Sequence, residues 1–368
     1  VRYALTSTVV RRVLLARGGA LGSNTGLGRA HFSVVSLLEK TLVRDWTLAG
    51  IVEHPLKDNI LPRVWNRWRV HPNIVKQKTE SSNADLLHIT DQEQAHLVPK
   101  NSKIPVAVTV HDLFHINPRK ITVDNDVINV GENNPNLVRK FDINKLKSGL
   151  RRADLLICIS ESTRKEVRRL FPNKKTALVR HQIDVDHWNP ELNPKSSELI
   201  SNFYDSEKCL IITVGSNEPR KRLDLVNDII LGLDPEVSRE INLVNIGSDI
   251  SLDEDQLISS FQHAEALLFP SVSEGFGYPP AEAMAAGCKV LASDSAAHNE
   301  IIPNEYLLPV DELRAWIDAI ESVHSEWKMN KGKERRVNLK LIQHVRNLLS
   351  PTAHGIALSK AYDLLFEE

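Results

Sequence analysis

The sequence predicts an α/β protein built of two doubly wound, Rossmann-like parallel sheets. The chain has 368 residues, and a length beyond one ordinary core favours two domains of about 150 to 200 residues each. Short, nearly continuous apolar runs alternate with helical patterns, which is typical of parallel sheets covered by helices on both faces. A polar stretch containing prolines, residues 184–202, separates the runs into two sets and is the predicted linker. Two cores imply a cleft between them.

The apolar runs are predicted to be the strands of the two sheets. In the first half of the chain they are RYALTSTVV (2–10), WTLAGIV (46–52), DLLHIT (85–90), PVAVTVHD (105–112), ADLLICIS (153–160) and TALVRH (176–181). In the second half they are CLIITVG (209–215), INLVNIG (241–247), EALLFPS (265–271) and KVLAS (289–293). Residues 1–190 and 200–350 are therefore the predicted domains. The amphipathic pattern after Pro351 predicts a C-terminal helix, 351–368, packing back on the N-terminal domain.

The composition excludes several classes of function. The net charge is −1, so no global field attracts nucleic acid or an anionic membrane. The three cysteines, Cys158, Cys209 and Cys288, adjoin apolar runs and indicate buried free thiols in a reducing, cytoplasmic compartment. No run approaches the roughly 20 apolar residues of a membrane span. The N-terminal stretch is interpreted as the first strand, with a leader removed ahead of Val1 as the alternative.

One motif, SEGFGYPPAEAMAAG at 273–287, combines features of a nucleotide-sugar site. It follows a buried strand and leads into an alanine-rich helix that begins near Pro279 and Pro280, so free N–H groups there suit a phosphate. Its carboxylates, Glu274 and Glu282, would repel phosphate but accept hydrogen bonds from sugar hydroxyls. Alternatively, Glu282 complements the helix dipole in the first turn and Glu274 is a solvated loop residue.

The segment from 265 to 300, EALLFPSVSEGFGYPPAEAMAAGCKVLASDSAAHNE, resembles the donor-site signature of glycosyltransferase family 4. Enzymes of that family are retaining and have the GT-B fold, two Rossmann-like domains facing across a cleft. The resemblance implies that Glu274 contacts hydroxyls of the donor sugar and that Glu282 contacts the ribose. It also implies that the backbone of Gly275, Phe276 and Gly277 lines the sugar and phosphate.

A second loop, in ITVGSNEPRKRLDLV, brings two cations to the end of a predicted strand. Gly215 closes the strand, and Arg220 and Lys221 follow at a helix start. Cations in this position suit a departing diphosphate, where negative charge develops as the glycosidic bond breaks. A solvated basic loop is the alternative, but the order of strand, glycine, PRK and helix resembles the diphosphate-binding loop of the family.

In the N-terminal half, His111 follows a strand in VAVTVHDLFHINP. The resemblance places such a histidine at the reaction centre, where it would position donor or acceptor sugar, and the alternative is a structural histidine. The glycine-rich stretch 18–34 resembles the first loop of the family, in which backbone around Gly26 and Gly28 approaches donor phosphates or acceptor. A flexible connection is the equal alternative. His88, Asp91 and His96, at 85–99, are either cleft residues or a core histidine and a capped turn.

No metal cofactor is predicted. His111 and His115 lack further ligands at suitable spacing. Of the two Asp-x-Asp triplets, Asp124 with Asp126 lies in a polar loop. Asp184 with Asp186 resembles the interdomain turn of the family.

Three regions depart from the family pattern or lie outside it. The helix and strand that usually follow INLVNIGSD in the family are missing. Since these elements normally help to form the pocket for the nucleotide base, the identity of the base is not predicted. Residues 116–148, rich in Asn, Asp and Lys, are predicted to be a loop insertion that serves the acceptor. Residues 61–78 combine basic and aromatic side chains without an acid, so they suit either a membrane surface or polyanionic acceptor, or a solvated helix with buried tryptophans.

The predicted function is transfer of a hexosyl group from a UDP- or GDP-linked sugar to a hydroxyl of a glycan, lipid or small-molecule acceptor, with retention of configuration. His111, Arg220, Lys221 and Glu274 are the predicted catalytic residues. The alternative is a catalytically silent GT-B module that acts as a binding or assembly subunit. EGFGYPP together with PRK favours mannosyl-type relatives slightly.

Overall fold

The protein consists of two compact units. The structure, a computed structural model, describes residues 9–19, 22, 25–54, 64–123, 126–331, 335 and 337–367. The first unit contains residues up to 117, 134–182 and 351 onward; the second contains 118–133 and 183–350. The chain therefore leaves the first unit twice, once for a short excursion after residue 117 and once at residue 183.

The strands of the described residues form two parallel sheets and one hairpin. They are β1 (Arg11–Ala16), β2 (Trp46–Val52), β3 (Leu86–Ile89), β4 (Val106–Val110), β5 (Arg119–Val123), β6 (Asp126–Val130), β7 (Leu155–Cys158), β8 (Lys175–Leu178), β9 (Cys209–Val214), β10 (Ile241–Ile246), β11 (Ala266–Phe269), β12 (Lys289–Ser293) and β13 (Leu307–Leu308).

Helices connect these strands and cover the sheets. The α-helices are Gly26–Glu39, His71–Ser81, Leu137–Arg152, Glu161–Leu170, Val185–Trp188, Leu223–Gly232, Pro235–Glu240, Glu254–His263, Tyr278–Ala285, Leu313–Asn330, Leu339–Leu349 and Pro351–Asp363. A π-helical turn spans Asn66–Val70, and 3₁₀ turns span Gln92–Leu97, Ser197–Ile200, Pro219–Lys221, His298–Glu300 and Asn304–Tyr306.

The first sheet has the order β2-β1-β3-β4-β7-β8, and its neighbouring strands pair in parallel. Successive side chains of β1 alternate between the two covered faces: Leu14 joins one core cluster and Leu15 the other. The N-terminal stretch, interpreted as the first strand, contains β1 at Arg11–Ala16, directly after the apolar run 2–10; residues 1–8 lie outside the described part. Arg11 and Arg12 form the more exposed start of this strand. The four residues after them, Val13–Ala16, are buried and hold the strand in the sheet.

The C-terminal helix Pro351–Asp363 packs on the first sheet. Trp46 Nε1 donates to Asp363 Oδ1 at 3.0 Å, and the Tyr362 hydroxyl lies 2.7 Å from His88 Nδ1 inside the core. Gly355 allows this approach, because a Cβ there would lie 2.3 Å from the carbonyl oxygen of Leu42. The helix is thus fixed to the first unit by packing and by buried hydrogen bonds.

The second sheet has the order β10-β9-β11-β12-β13, again with parallel neighbours. After β10 the chain turns at Gly247, whose φ is +98°, and enters the helix Glu254–His263 directly. The described residues 247–253 therefore contain no further helix or strand, in agreement with the shortened pattern of the sequence.

The region 116–148 is not the loop that we predicted. β5 and β6 form an antiparallel hairpin, and Leu137–Arg152 is a helix that returns to the first unit. The hairpin packs through Val123 and Ile128 against Val272 of the second unit. On both short strands the apolar side chains that form this buried face alternate with polar ones. The region is therefore polar on average, which is why the sequence analysis predicted a loop.

The predicted linker 184–202 is packed rather than free. Gln262 donates through Nε2 to the carbonyl oxygens of Trp188 and Asn193, at 2.9 and 3.0 Å, and accepts from the Lys195 amide at 2.8 Å. Trp188 is 4% exposed. The stretch therefore belongs to the second unit. Among the described residues, no helix combines the length and the apolar character required to cross a membrane.

Replacing Tyr362 by Phe is expected to lower the free energy of unfolding by about 1–3 kcal/mol, because His88 would keep a buried nitrogen without its partner. Urea unfolding at pH 7.5 measures this loss. Tyr306→Phe is the matched control, since its hydroxyl bonds Asn338 at a half-buried position that water can reach. Equal stability of Tyr362→Phe and the wild type would contradict a structural role for this hydrogen bond.

Candidate functional site

Two loops meet at the carboxyl edge of the second sheet. β9 ends at Val214 and leads to the 3₁₀ turn Pro219–Lys221, while β11 ends at Phe269 and leads to the SEGFG loop. The Val272 amide donates to the Arg220 carbonyl oxygen at 2.9 Å, and Ser271 Oγ lies 3.1 Å from the same oxygen. These contacts join the loops directly, in the place where parallel α/β sheets bind their ligands.

Glu274 is the centre of this junction. Its carboxylate accepts from Arg220 Nη1 at 2.8 Å, from Lys221 Nζ at 2.5 Å and from Ser271 Oγ at 2.6 Å. Its side chain is only 11% exposed. Burial would raise the pKa of Glu274, but the charges of Lys221 and Arg220 outweigh it and lower that pKa to about 2. The carboxylate is therefore ionised at all ordinary pH values.

Besides Glu274, Arg220 contacts Ser273 in the SEGFG loop and Glu218 just before the Pro219–Lys221 turn. Nη1 also donates to the Ser273 carbonyl oxygen at 3.0 Å, and Nε donates to Glu218 Oε2 at 2.9 Å. Burial would lower the pKa of Arg220, but the charge of Glu274 and the bond to Glu218 raise it. Since two cations share the one buried carboxylate, the three groups carry an excess of one positive charge (+2 − 1).

The glycines of the two loops make room for this arrangement. A Cβ on Gly215 would press on Lys221 Cδ and Cε at 3.3 Å. Gly277 has φ +103°, and a Cβ on it would lie 2.7 Å from His298 Cβ. Gly275 is half-buried, and Phe276 is buried with its ring 5.3 Å from that of Tyr278. The bend therefore brings backbone, without intervening side chains, to the start of the helix Tyr278–Ala285.

Both alternatives for the carboxylates are contradicted. Glu282 is the fifth residue of the helix Tyr278–Ala285, so it is not in the first turn, and it is 2% exposed. Glu274 is paired and nearly buried, not a solvated loop residue. Pro279 and Pro280 do lie in the first turn, and Gly287, with φ +65°, follows the helix end as predicted.

Several residues of this junction were missed by the sequence analysis: Ser271, Ser273, Glu218, His298 and Arg119. His298 is fully buried, with Nε2 2.9 Å from the Ser293 carbonyl oxygen and its ring edge-on to Phe269. Burial lowers the pKa of His298 to about 4. Its position in the family-like segment 265–300 was the signal that could have identified it. Ser271 and Glu218 are bracketed by predicted residues, but only the fold shows what they contact.

In the first unit, His111 lies where β4 ends and is 6% exposed. Its Nε2 lies 2.9 Å from the Thr90 carbonyl oxygen and must donate to it, which leaves Nδ1 to accept from His181 Nε2 at 3.1 Å. Burial lowers the pKa of His111, so the ring is neutral. Both nitrogens are occupied, and His111 can position a neighbour but is not poised to take a proton.

His111 belongs to a buried group of histidines that lines a small cavity of the first unit. The cavity has room for about one water molecule, and its histidines are His88, His111, His181 and His354. His88 bridges the Tyr362 hydroxyl and the Thr109 hydroxyl, each at 2.7 Å. Within the described residues, His354 Nδ1 has no hydrogen-bond partner. Burial lowers the pKa of His88 to about 3 and that of His354 to about 4.

Structural roles account for several of the other residues singled out in the N-terminal half. Gly28 needs to be glycine, because a Cβ would lie 2.0 Å from the Gly22 carbonyl oxygen, whereas Gly26 has open space. Asp91 caps the turn Gln92–Leu97 by accepting from the Glu93 amide. His88 and His96 are buried, so the alternative of a core histidine and a capped turn describes these residues.

The structure describes most residues of the acidic triplets and of the basic segment. Among the described residues, no cluster of three or more His, Cys, Asp or Glu side chains could hold a metal ion; Asp124 lies outside them. Asp186 accepts from Arg346 at 2.6 Å. In 61–78, of which 64–78 are described, Arg67 is neutralised by both oxygens of Asp142 at 3.0 Å, and Trp65 is 63% exposed. The three cysteines are buried free thiols.

Comparisons with known families cover both halves of the chain. Residues 30–187 match the sequence model of "Glycosyltransferase Family 4", and residues 205–326 match that of "Glycosyl transferases group 1". The second match includes the Pro219–Lys221 turn and the SEGFG loop.

Among curated proteins, the chain is similar to the O-antigen chain mannosyltransferase RfbU of Salmonella typhimurium, with 38% identity over 77 residues, 20% of this chain and 21% of RfbU. It is also similar to the serotype-specific mannosyltransferase WbdA of Escherichia coli, with 24% identity over 224 residues, 54% of this chain and 26% of WbdA. The similarity thus spans about a fifth to a quarter of the length of these relatives.

Among solved structures, Anabaena Alr3699/HepE in complex with UDP-glucose has a TM-score of 0.66 at 11% identity, covering 96% of this chain and 99% of that one. This likeness shows the GT-B fold.

Because burial lowers the pKa of the buried histidines, we expect the folded protein to lose stability as the pH falls. An unfolded histidine takes up a proton near pH 6.5, whereas folded His88 and His354 do so near 3 and 4, so their contribution is complete above pH 6.5 and is lost as the pH falls toward 4. Below pH 6.5 we expect the free energy of unfolding to fall by up to about 1.4 kcal/mol per pH unit for each such histidine.

Urea unfolding at pH 7.5, 6.5 and 5.5 measures this slope. His354→Leu removes one titrating group and its unpaired nitrogen, so this variant should show a shallower dependence than the wild type. A wild-type stability that is constant over this range would show that the histidines do not stay neutral in the folded unit.

Glu274→Gln is expected to destabilise the second unit by about 3 kcal/mol, because Arg220 and Lys221 would keep their charges without a counter-ion. The matched control is Glu326→Gln, which breaks the pair with Lys289 at a site where Glu326 is 53% exposed; it should cost less than about 1 kcal/mol. Urea unfolding at pH 7.5 compares the two. Equal losses would mean that the network of Glu274 is no more buried than a surface ion pair.

Proposed function

We propose that this chain, which belongs to the family 4 and group 1 glycosyltransferases, transfers a hexosyl group from a nucleoside diphosphate sugar to a hydroxyl group. The acceptor would be a glycan, a lipid or a small molecule. Retention of configuration follows from the family. One observation carries the proposal most: the ionised Glu274 is held between Arg220 and Lys221 at the start of a glycine-lined bend and a helix N-terminus.

Arg220 and Lys221 would bind the diphosphate of the donor. The excess positive charge of the Glu274 network is complementary to a pyrophosphate, and the helix N-terminus after Gly277 adds partial positive charge. When the glycosidic bond breaks, negative charge grows on the departing diphosphate. Cations that are already held in place stabilise that charge without reorganisation. Arg220 and Lys221 would therefore lower the barrier as well as bind the donor.

Glu274 supplies the side that faces the sugar. A carboxylate has about four acceptor sites, and Glu274 uses three of them for Arg220, Lys221 and Ser271. The site left over can accept a sugar hydroxyl. Because the carboxylate cannot rotate without breaking its ion pairs, it would hold that hydroxyl in one orientation. Glu282, Gly275 and Phe276 complete the proposed donor contacts, and Gly26 and Gly28 remain proposed contacts of the first unit.

His111 would act by position. Its ring is neutral and donates to a backbone carbonyl, so we assign it the orientation of a sugar and not proton transfer. We propose no metal and no cofactor beyond the nucleotide donor.

Isothermal titration with UDP, GDP, UDP-glucose and GDP-mannose, followed by donor hydrolysis, tests the function. We expect one nucleotide series to bind and its sugar to be released to water. Lys221→Met should lower the rate of sugar release by about 10²–10³-fold, since it removes a group that stabilises developing charge.

Lys289→Met is the matched control, because Lys289 also pairs with a glutamate but stands at the opposite end of its strand from the site. It should retain wild-type turnover. Nucleotide binding with no turnover on any donor or acceptor would instead favour the silent module, and no binding at all would overturn the proposal.

A further inference from the structure

Four neighbouring strands of the first sheet are each followed directly by a polar residue at the carboxyl edge. In sheet order the strands are β2, β1, β3 and β4, and the residues that follow them are Glu53, Arg17, Thr90 and His111. This is the edge at which open parallel α/β sheets bind their ligands. His31, on the helix that follows β1, contacts two of the four side chains. A chain of contacts therefore runs along this edge to His111.

His31 connects Glu53 to Thr90. Its side chain is 1% exposed, with Nδ1 2.9 Å from Thr90 Oγ1 and Nε2 3.3 Å from Glu53 Oε1. The same carboxylate oxygen accepts from Arg17 Nε at 2.7 Å, which keeps Glu53 facing the ring. Burial lowers the pKa of His31 to about 4, so the ring is neutral near neutral pH and carries one proton on its nitrogens. Since a carboxylate oxygen only accepts, that proton is on Nε2, and Nδ1 accepts from the Thr90 hydroxyl.

Thr90 carries the connection from His31 to His111. It is 3% exposed, and its backbone N–H donates to the Ala16 carbonyl oxygen at 3.2 Å. Its hydroxyl group bonds His31, and its carbonyl oxygen accepts from His111 Nε2 at 2.9 Å. A buried hydroxyl that loses its partner is unfavourable, so without His31 the side chain of Thr90 would turn toward another acceptor. The position of the carbonyl group that holds His111 thus depends on His31.

We propose that His31 is a positioning residue for His111. By holding the Thr90 hydroxyl it fixes the carbonyl group that orients the ring of His111, and Glu53 determines which nitrogen of His31 accepts from Thr90. His31 itself is too deeply buried to touch a sugar. This inference rests on the proposed function, in which His111 orients a sugar of the reaction.

The test measures kcat for sugar release from the donor that the wild type hydrolyses, UDP-glucose or GDP-mannose. His31→Leu removes both ring nitrogens. His31→Asn keeps a polar atom near the position of Nδ1, whereas His31→Gln keeps one near the position of Nε2. We expect His31→Leu and His31→Gln to lower kcat by about tenfold, because a displaced His111 orients the sugar less well, and His31→Asn to stay within about threefold of the wild type.

Nucleotide binding separates this role from donor binding. The groups that we propose to bind the diphosphate, Arg220 and Lys221, belong to the second unit. Isothermal titration of UDP or GDP should therefore give a Kd within about twofold of the wild type for all three variants of His31. A lower kcat at an unchanged Kd is the pattern expected of a residue that acts on the orientation of the sugar.

Thr90→Val shows whether His31 acts through Thr90, since it removes the other half of the same hydrogen bond. Two changes that break one bond are not additive, so His31→Leu combined with Thr90→Val should be no slower than the slower single variant, and full additivity would contradict the link. Tyr362→Phe is the matched control, because it also removes a buried bond between a hydroxyl and a histidine of the first unit. It should keep the wild-type kcat. Urea unfolding shows whether each variant is folded.

The outcomes separate the two proposals. A wild-type kcat in folded His31→Leu would overturn the role of His31 while the proposed function stands. Equal rates for His31→Asn and His31→Gln would also overturn it, because the bond to Thr90 would then not decide turnover. An equal loss in Tyr362→Phe would do the same, since it would indicate a general effect of a weakened core. If His31→Leu does not fold, the comparison of His31→Asn with His31→Gln decides. A wild type that binds no nucleotide or releases no sugar would overturn the proposed function, and the role of His31 with it.

Discussion

The ion pairs of Glu274 with Arg220 and Lys221 are the interaction on which the candidate site depends. A carboxylate that is 11% exposed stays ionised only because two cations outweigh its desolvation. The same contacts join the turn after β9 to the loop after β11, so charge and loop geometry are set together. The network therefore joins the two loops and fixes the positions of the charges on which the proposed donor site depends.

The fold places this clamp where neighbouring parallel strands end. β9 and β11 pair in parallel, so their following loops leave the sheet at one edge. Gly277 has a positive φ there, and Gly215 lies close against the side chain of Lys221. The hairpin of β5 and β6 then adds Arg119 to the same edge from a distant part of the sequence. Residues 154 positions apart in the chain thus meet at one serine.

The sequence predicted the strands well where apolar runs were continuous and poorly where they were not. WTLAGIV became β2 without any change of boundary, because each of its ends coincides with a change in polarity. The first strand is RRVLLA, directly after the apolar run 2–10, and it begins with two charged residues before its four buried apolar ones. The hairpin at 119–130 was missed because its buried side chains alternate with polar ones. In the candidate site, Glu274, Arg220 and Lys221 were proposed from the pattern of glycines and prolines together with the family resemblance.

The sequence by itself determined the two-sheet α/β class, the glycosyltransferase resemblance and the residue types at the strand ends, because apolar periodicity and turn chemistry are local properties. Only the tertiary structure decided which groups meet. It showed that Glu274 pairs with both cations that sequence analysis assigned to a separate loop, that both ring nitrogens of His111 are occupied, and that Arg119 reaches Ser273. Hydrogen bonds, desolvation and pKa shifts depend on distances between residues far apart in the chain, and local sequence patterns do not encode those distances.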